Sequence, residues 1–284
     1  MLSYRHAFHA GNHADILKHI AWLGVIQHLK RKTKPFVLFD THAGAGEYPL
    51  SAQQTQLNQE YTSGMSALDG IHAVSALLQD YLSFNQPCWD AGVYPGSPRL
   101  LAEAIRAQDE AHLMELHPAE IAPLQQCVYN SGHEGIHVHH RDGLEGLIAM
   151  TPPTPNRGAV LIDPPYEQIG EYKTVSQTVD KMLQRWANAQ VVVWYPLLSE
   201  RAADKAAACQ QMLDTLAGMG STCFTAQLTV ADNTHDAGMY GSGVCIINPA
   251  WQLDEHITQA MKEVTGYLSA SASFSLDWLK QEAP

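Results

Sequence analysis

Strand-like runs of apolar and β-branched residues recur along the chain, and helical patterns separate most of them. The runs cover residues 36–40, 112–116, 136–140, 159–163, 191–195, 222–230 and 243–248. The helical patterns cover residues 98–108, 119–129, 172–186 and 200–217. Strands that alternate with helices favour an α/β fold, in which helices cover both faces of a parallel sheet. The last two runs leave no room for a helix between them, so we expect an antiparallel pair at the edge of a seven-stranded mixed sheet.

Two regions stand outside this alternation. Before the first strand, apolar residues follow helical spacing, which predicts an amphipathic helix over residues 15–29. Residues 49–94 form a connection far longer than an ordinary α/β crossover, so we predict a small helical insertion with a helix over residues 66–82. The chain is therefore divided into an N-terminal part that holds the first helix and strand (1–48), the insertion (49–94) and the remainder of the main domain (95–284).

The composition excludes several classes of protein. No apolar run reaches the roughly 18 residues that span a bilayer, and the polar, histidine-rich N-terminus does not resemble a signal peptide. The five cysteines are scattered without a CxxC pair, which argues against a disulfide framework and against a cysteine zinc site. The histidine clusters lack cysteine partners at zinc spacing, so we expect no metal site. These observations predict a cytoplasmic protein without a membrane partner.

The net charge of −12 argues against a nucleic-acid partner, but the charge is unevenly distributed. Residues 1–34 hold six lysines and arginines and the single acid Asp15, so the excess of acids lies in the rest of the chain. A basic patch on an acidic body can supply local phosphate contacts. The alternative is that the basic residues 30–34 are only the solvated end of a helix.

The strongest chemical signal is the segment Asp163-Pro164-Pro165-Tyr166 at the end of the fourth strand. Ligands of open α/β sheets lie beyond the carboxyl ends of the strands, where this segment is expected. The Asp163 carboxylate and the Pro164 carbonyl can each accept a hydrogen bond from the N6 amine of adenine, which turns the nitrogen lone pair towards a methyl sulfonium. Tyr166 offers a face on which an extruded base can stack. Without these neighbours, a pair of prolines would indicate only a turn that ends a strand.

Further polar residues are predicted at the same edge of the sheet. The loop after the first strand, residues 40–46, contains glycines that let a ligand approach the backbone. Glu115 ends the second strand, where an acid can accept hydrogen bonds from ribose hydroxyls, unless it is only a solvated strand end. Asp142 and Gly143 follow the third strand and can meet the adenine edge of a cofactor. Ser97 has the residue type that caps the helix following it.

Four segments together carry a family resemblance. The Asp-Pro-Pro-Tyr segment resembles the motif of class I methyltransferases that methylate amines. Taken with residues 1–19 (MLSYRHAFHAGNHADILKH), 39–46 (FDTHAGAG) and 94–98 (YPGSP), it makes the chain similar to the RlmJ family. That family consists of bacterial enzymes that methylate adenine N6 in large-subunit ribosomal RNA. The resemblance runs from Met1 to about residue 251.

The resemblance implies a class I S-adenosylmethionine methyltransferase, with a Rossmann-like seven-stranded mixed sheet and a small helical insertion after the first strand. It implies that S-adenosylmethionine is the cofactor. The residues expected to contact this cofactor are His19, His42, Ser97, Glu115, Asp142, Gly143 and Asp163. Without the resemblance, His19 would be interpreted as a buried core histidine. The expected partner is large-subunit ribosomal RNA, bound by a monomeric enzyme.

The segment ahead of the first helix is predicted to contact the substrate. We expect Tyr4 to stack on or beside the extruded adenine, and His6 to lie near the target amine. Arg5 and Lys18 are expected to hold the flanking phosphates, because RNA recognition joins stacking on unpaired bases to phosphate contacts. The alternative is a frayed terminus with incidental charge.

Two other functions are weighed against RNA methylation. One is a DNA adenine-N6 methyltransferase, but such enzymes usually carry a sizeable target-recognition region, and the only candidate region here is short. The other is a catalytically silent RNA-binding relative. The intact Asp163 segment, together with Glu115 and the glycine loop, argues against a loss of activity.

Overall fold

The computed structural model describes residues 5–234 and 238–281, and a mixed sheet lies at its centre. The strands are β1 (Val37–Asp40), β2 (Glu47–Pro49), β3 (Val93–Pro95), β4 (Glu110–Glu115), β5 (Ile136–His140), β6 (Gly158–Ile162), β7 (Gln190–Leu198), β8 (Cys223–Thr229), β9 (Met239–Ile247) and β10 (Ser273–Lys280). The helices are α1 (His13–Lys30), α2 (Gln53–Asn58), α3 (Ala76–Asp90), α4 (Ser97–Ala104), α5 (Pro118–Ser131), α6 (Gly143–Met150), α7 (Gly170–Arg185), α8 (Ala203–Ala217) and α9 (Leu253–Leu268). Short 3-10 helices cover His6–Phe8, Glu60–Thr62, Met65–Leu68 and Glu200–Ala202. Within these ranges, no helix is both long enough and apolar enough to cross a membrane.

The order of the main sheet is β10-β8-β9-β7-β6-β1-β4-β5. The strands β5, β4, β1, β6 and β7 are parallel neighbours, so their carboxyl ends meet at one edge. β9 runs antiparallel to both β7 and β8. The α/β class, the mixed sheet and the antiparallel pairing of the last two predicted strands are therefore confirmed.

An additional strand corrects two predictions. β10 pairs with β8 and forms the sheet edge, so the sheet has eight strands rather than seven, and the predicted antiparallel pair does not end it. Along β10, Phe274, Leu276 and Trp278 are half-buried, and the residues between them are exposed. A period of two is typical of an edge strand that packs one face against the core. Trp278 makes that contact with Phe224 of β8, at 5.2 Å between ring centroids.

The first helix lies in the interior of the protein rather than on its surface. Residues 14–26 of α1 are all buried. The predicted helix exists, but the prediction that it is amphipathic is wrong, because the sheet covers one side of α1 and α3, α4 and α9 cover the others. The Asn12 side chain caps α1 by accepting hydrogen bonds from backbone N–H groups of its first turn. Asp15, Lys18 and His19 are therefore held at fixed positions beside the strand ends.

The strands β2 and β3 bracket the insertion after β1. They pair antiparallel and bring the two ends of the insertion together, although strands of three residues are too short to show an alternating pattern in the sequence. The insertion contains α2 and α3, which confirms the predicted helical character. The predicted helix over residues 66–82 has the wrong bounds. α3 begins only after the Ser75 hydroxyl, which caps its first turn, and it continues eight residues beyond residue 82 to Asp90.

Candidate active site

Two adjoining cavities lie at the edge where the parallel strands end. The glycine-loop cavity, of about 260 Å³, is bordered by the loops after β1, β4, β5 and β6. The predicted site residues that line it are Arg5, His6, Lys18, His19, His42, Ser97, Glu115, Asp142, Gly143 and Asp163. The Trp194 cavity, of about 310 Å³, also contains Tyr166 and Lys205 in its wall. Both walls include Lys18 and Asp163, so the two cavities meet at these side chains.

The Lys18 ammonium group connects α1 to the end of β6. Its Nζ donates to Asp163 Oδ2 at 2.6 Å and to Asp15 Oδ1 at 2.8 Å. Burial lowers the pKa of Lys18, but the two carboxylates outweigh this effect and raise the pKa above its ordinary value. The side chain is only 5% exposed. Because α1 is buried, the structure places Lys18 between two carboxylates, whereas the sequence predicted that it holds a flanking phosphate.

The Asp163 carboxyl group is partly shielded from water. Its side chain keeps an exposed fraction of 16%, so the carboxylate remains accessible from the cavities. Burial raises the pKa of Asp163, and the Lys18 ammonium acts in the opposite direction. Lys18 therefore favours the ionised carboxylate, which is the form that accepts hydrogen bonds without donating one.

Asp15 is a site residue that the sequence interpretation missed. It is 1% exposed, and besides Lys18 it contacts the Gly11 N–H at 2.8 Å and His6 Nε2 at 2.9 Å. Burial raises the pKa of Asp15, but its contacts with His6 and Lys18 hold it well below its ordinary value. One feature of the sequence could have indicated this role, because Asp15 is the single acid in residues 1–34. Through this contact, the His6 ring is fixed beside Tyr48, with 5.1 Å between ring centroids.

The loop after β1 turns tightly at the glycine-loop cavity. Gly44 has a φ of +61°, and a Cβ at this position would lie 2.2 Å from the Tyr48 hydroxyl oxygen, so the turn requires glycine. The Gly44 N–H donates to Glu115 Oε2 at 2.8 Å, and the His117 N–H donates to Oε1 at 2.6 Å. Glu115 thus fixes the loop, while each carboxylate oxygen keeps further acceptor capacity for a ligand.

Ser97 has a local role different from the predicted one. Gly96, not Ser97, occupies the N-cap position of α4, so the prediction of a serine cap is wrong. The Ser97 hydroxyl instead donates to Asp40 Oδ2 at 2.7 Å. Asp40 is fully buried, and burial raises its pKa to about 6, an effect that the Ser97 hydrogen bond only partly offsets. A serine at the first helical position therefore stabilises a buried carboxyl group beneath the cavity.

Asp142, Gly143 and His42 lie on the side of the cavity next to β5. Asp142 caps α6, and its Oδ1 accepts a hydrogen bond from the Glu145 N–H at 2.9 Å. A Cβ on Gly143 would lie 1.8 Å from the Thr41 carbonyl oxygen, so only glycine lets α6 approach the loop after β1. His42 Nδ1 lies 2.8 Å from the Thr41 hydroxyl. Burial lowers the pKa of His42 to about 4, so the imidazole is neutral at pH 7.

His19 supplies a polar atom without a protein partner at the cavity wall. Its Nδ1 lies 3.0 Å from the Tyr94 hydroxyl, and the two rings stack. Its Nε2 is buried and makes no hydrogen bond within the part of the chain that the structure describes. Burial lowers the pKa of His19 to about 3, so this ring is also neutral. A buried nitrogen of this kind fits a ligand atom, because buried polar groups normally have partners.

Tyr166 does not present the open face predicted for stacking. It is 3% exposed, it stacks on Tyr172 at 4.2 Å between ring centroids, and its hydroxyl donates to the Trp194 carbonyl at 3.0 Å. Its φ of +49° is unusual for a residue with a side chain, and Lys205 Nζ donates to its carbonyl at 2.8 Å. The tyrosine therefore anchors the turn after β6. Pro164 is buried in the same turn.

The start of the chain reaches the glycine-loop cavity through Arg5. Its Nε donates to Glu120 Oε1 at 2.8 Å, and the Glu120 side chain is 6% exposed. Glu120 belongs to α5, lines the cavity and was not predicted. The structure therefore pairs Arg5 with a carboxylate, where a phosphate contact was expected. Tyr4 lies outside the residues that the structure describes.

The residues of the glycine-loop cavity fit S-adenosylmethionine. An acid ends β4, a glycine turn follows β1, and the buried His19 Nε2 lacks a protein partner. In residues 5–234 and 238–281, no group of three or more histidine, cysteine, aspartate and glutamate side chains is arranged to hold a metal ion. The strand order and this site define a class I S-adenosylmethionine-dependent methyltransferase.

A family model described as RsmJ (ribosomal RNA large subunit methyltransferase D, RlmJ) matches residues 33–280, and the chain belongs to this family. The ribosomal RNA large subunit methyltransferase J of Haemophilus influenzae is 34% identical over 99% of this chain and 100% of that protein. The protein of the same name from Escherichia coli K12 is 35% identical over 92% of each chain. A crystal structure of a Legionella pneumophila protein has 29% identity and a TM-score of 0.84, over 95% of this chain and 98% of that one.

Proposed function

We propose that this chain transfers a methyl group from S-adenosylmethionine to the N6 amine of an adenine in large-subunit ribosomal RNA. The observation that carries the proposal is the position of the Asp163 carboxylate in the wall common to both cavities. The glycine-loop cavity has the acids and the tight turn that suit the cofactor. The Trp194 cavity has one large aromatic side chain besides the enclosed Tyr166 in its wall, Trp194, which suits a base. A methyl group and an amine that enter from these two sides would meet beside Asp163.

The cofactor would be held mainly by groups at the strand ends. Each Glu115 carboxylate oxygen accepts one backbone N–H and has a further lone pair. These lone pairs can accept hydrogen bonds from the ribose hydroxyls. Asp142 can meet the adenine edge, and the turn at Gly44 leaves room for the methionine part. His19 and His42 are neutral, so neither repels the positive sulfonium. When bound, S-adenosylmethionine supplies an electrophilic methyl group.

The chain's own residues would prepare the amine. Adenine N6 is a poor nucleophile because its lone pair is delocalised into the ring. The Asp163 carboxylate and the Pro164 carbonyl would accept its two N–H groups, which turns the lone pair out of the ring plane. Positioning of this kind accounts for most of the expected rate gain. The methylated nitrogen is acidic, and its proton passes to Asp163 and then to water, while Lys18 keeps the carboxylate ionised beforehand.

The two alternative functions are less well supported. Both curated relatives carry the name of a ribosomal RNA methyltransferase, which favours RNA over DNA as the substrate. The ion pair between Asp163 and Lys18 and the hydrogen bonds of Glu115 are those of an intact site, which favours an active enzyme over a silent relative.

Large-subunit specificity, a monomeric state and a cytoplasmic location are further parts of the proposal. The names of both relatives refer to the large subunit, which supports the first part. Methylation of separately purified small-subunit and large-subunit RNA tests the specificity, and light scattering of the purified enzyme tests the monomer.

The central experiment incubates the enzyme with radiolabelled S-adenosylmethionine and ribosomal RNA from cells that lack the gene. Nucleoside mapping should then find the label in N6-methyladenosine. The Asp163→Ala variant serves as the matched control. It should lose methyl transfer, yet bind the cofactor with at most modestly reduced affinity, because Asp163 contacts Lys18 rather than the glycine turn. Label in another nucleoside, or near-normal turnover by Asp163→Ala, would overturn the assignment.

A further inference from the structure

A basic surface lies at the end of the molecule opposite Asp163. The segment that joins α1 to β1 carries Arg31, Lys32 and Lys34, all of them exposed. No acid occurs in residues 16–39. α1 has 18 residues and is therefore about 27 Å long, and its other end lies at the two cavities. The sequence alone left open whether these cations are only the solvated end of a helix.

Two arginines from distant parts of the chain brace this segment. Arg106, between α4 and β4, donates to the carbonyl oxygens of Lys32 at 2.9 Å and Lys34 at 3.1 Å. Arg157, just before β6, also donates to the Lys34 carbonyl, at 2.9 Å. Both guanidinium groups lie over the Phe36 ring, 5.3 and 5.6 Å from its centroid. These contacts fix the backbone of the segment, so its lysine side chains project from a rigid base.

Among the residues that the structure describes, one cation at this end forms an ion pair with an acid. Arg106 is paired with Asp109, at 2.8 Å between Nε and Oδ2. Arg157, in contrast, donates to neutral carbonyl oxygens, which leave its positive charge in place. Burial lowers the pKa of His28, and the charges of the neighbouring arginines and lysine lower it further. The basic surface consists of Arg31, Lys32, Lys34 and Arg157.

A groove of about 500 Å³ opens within this surface, at the starts of β6 and β7. Its polar lining includes Lys32, Lys34, Asn156, Arg157, Asn188 and Gln190. Among the residues that the structure describes, no carboxylate lines the groove. Cations bind phosphate oxygens, and amide side chains hydrogen-bond to phosphate and sugar groups. The groove therefore combines the side chains that suit a nucleic-acid backbone, and it lacks the charge that would repel one.

We propose that the basic surface binds the phosphate backbone of the same RNA molecule whose adenine reaches Asp163. This inference rests on the proposed function. Since the chain as a whole is strongly acidic, RNA is repelled except where cations concentrate. The N-terminal cations nearest the target, Arg5 and Lys18, are already bound to carboxylates. The basic surface supplies affinity at a distance, and it leaves the target nucleotide free to enter its cavity.

The test compares two double variants that remove the same charge. Lys32→Gln with Lys34→Gln changes the groove. Lys181→Gln with Lys262→Gln changes exposed lysines of α7 and α9 and is the matched control. Affinity for purified large-subunit ribosomal RNA is measured over a range of salt concentrations. The groove variant should bind about fivefold more weakly, and its plot of log K against log salt should be less steep by about 1 per lysine, while the control keeps both values.

The catalytic constant at saturating RNA and the affinity for S-adenosylmethionine should be the same in both double variants, because the groove lies far from the cavities. Equal RNA affinity and equal salt slopes in the two variants would overturn the inference. A defect that appears only on ribosomal particles, and not on naked RNA, would also overturn it and would indicate a protein partner. Failure of the parent enzyme to methylate RNA would instead overturn the proposed function, which the binding comparison does not test.

Discussion

The Nζ atom of Lys18 lies 2.6 Å from Oδ2 of Asp163, and this ion pair ties the first helix to the turn after β6. Asp15 holds the same ammonium group from the other side at 2.8 Å. Burial alone would favour a protonated Asp163, and the positive charge of Lys18 is the main influence that opposes it. Lys18 therefore favours the ionised form of Asp163 against the effect of burial.

Replacement of Lys18 should shift the pH dependence of methyl transfer. In Lys18→Met, the pKa of Asp163 should rise further, because burial then acts with less opposition. The acid limb of the pH–rate profile should move to higher pH, with recovery towards the parental rate under alkaline conditions. Single-turnover rates from pH 5.5 to 9.5 would measure this shift. Lys18→Arg keeps the charge and should keep the parental limb. An unchanged limb in Lys18→Met would contradict the assigned role.

The cofactor should stabilise the protein against heat. A ligand that binds only the folded state at about 100 times its Kd adds about 2.7 kcal/mol, which corresponds to several degrees in Tm. S-adenosylmethionine and S-adenosylhomocysteine should produce this shift, and NAD and ATP should not. Glu115→Ala should lose most of the shift, because Glu115 holds the turn at Gly44. Stabilisation by NAD alone would place the site in another enzyme class.

The buried carboxyl group of Asp40 should make stability depend on pH. Its folded pKa is raised by burial from 3.8 to about 6, so between these values the folded chain keeps a proton that the unfolded chain has lost. Stability should therefore fall as the pH rises through this window, by at most about 3 kcal/mol. Asp40→Asn removes the titrating group, and its fall should be smaller. Urea unfolding at pH 4.5 and pH 7 measures how far the free energy of unfolding falls in the parent and in the variant. An equal fall in parent and variant would show that Asp40 is not responsible.

Tyr4 remains a predicted substrate residue. Arg5, its neighbour in the sequence, lines the glycine-loop cavity. Tyr4→Ala should lower RNA methylation strongly, because stacking on an extruded base is lost, and about 1–3 kcal/mol per base is typical of such stacking. Cofactor affinity and thermal stability should not change. The informative comparison is the methylation rate beside cofactor affinity in this variant, and parental methylation would remove Tyr4 from the site.

The sequence was sufficient to predict the elements whose signals are local. Glu115, Asp142 and Asp163 follow three different predicted parallel strands, and the carboxyl ends of such strands meet at one edge of a sheet. All three line the same cavity. The bounds of α3 and the strand β10 were missed, because a cap and one short alternating run give weak local signals.

The sequence by itself determined the alternation of strands and helices in the main domain and the chemistry at the strand ends, because periodicity and contiguous motifs are properties of the chain. Only the tertiary structure decided which charges are buried and which groups they bind. Lys18 and Asp163 are 145 positions apart, and Ser97 and Asp40 are 57 apart. The helix that carries Lys18 was predicted to be amphipathic, but in the structure α3, α4 and α9 cover it together with the sheet. Once it is buried, the charge is stable only with a partner, and the fold supplies that partner from a distant strand end.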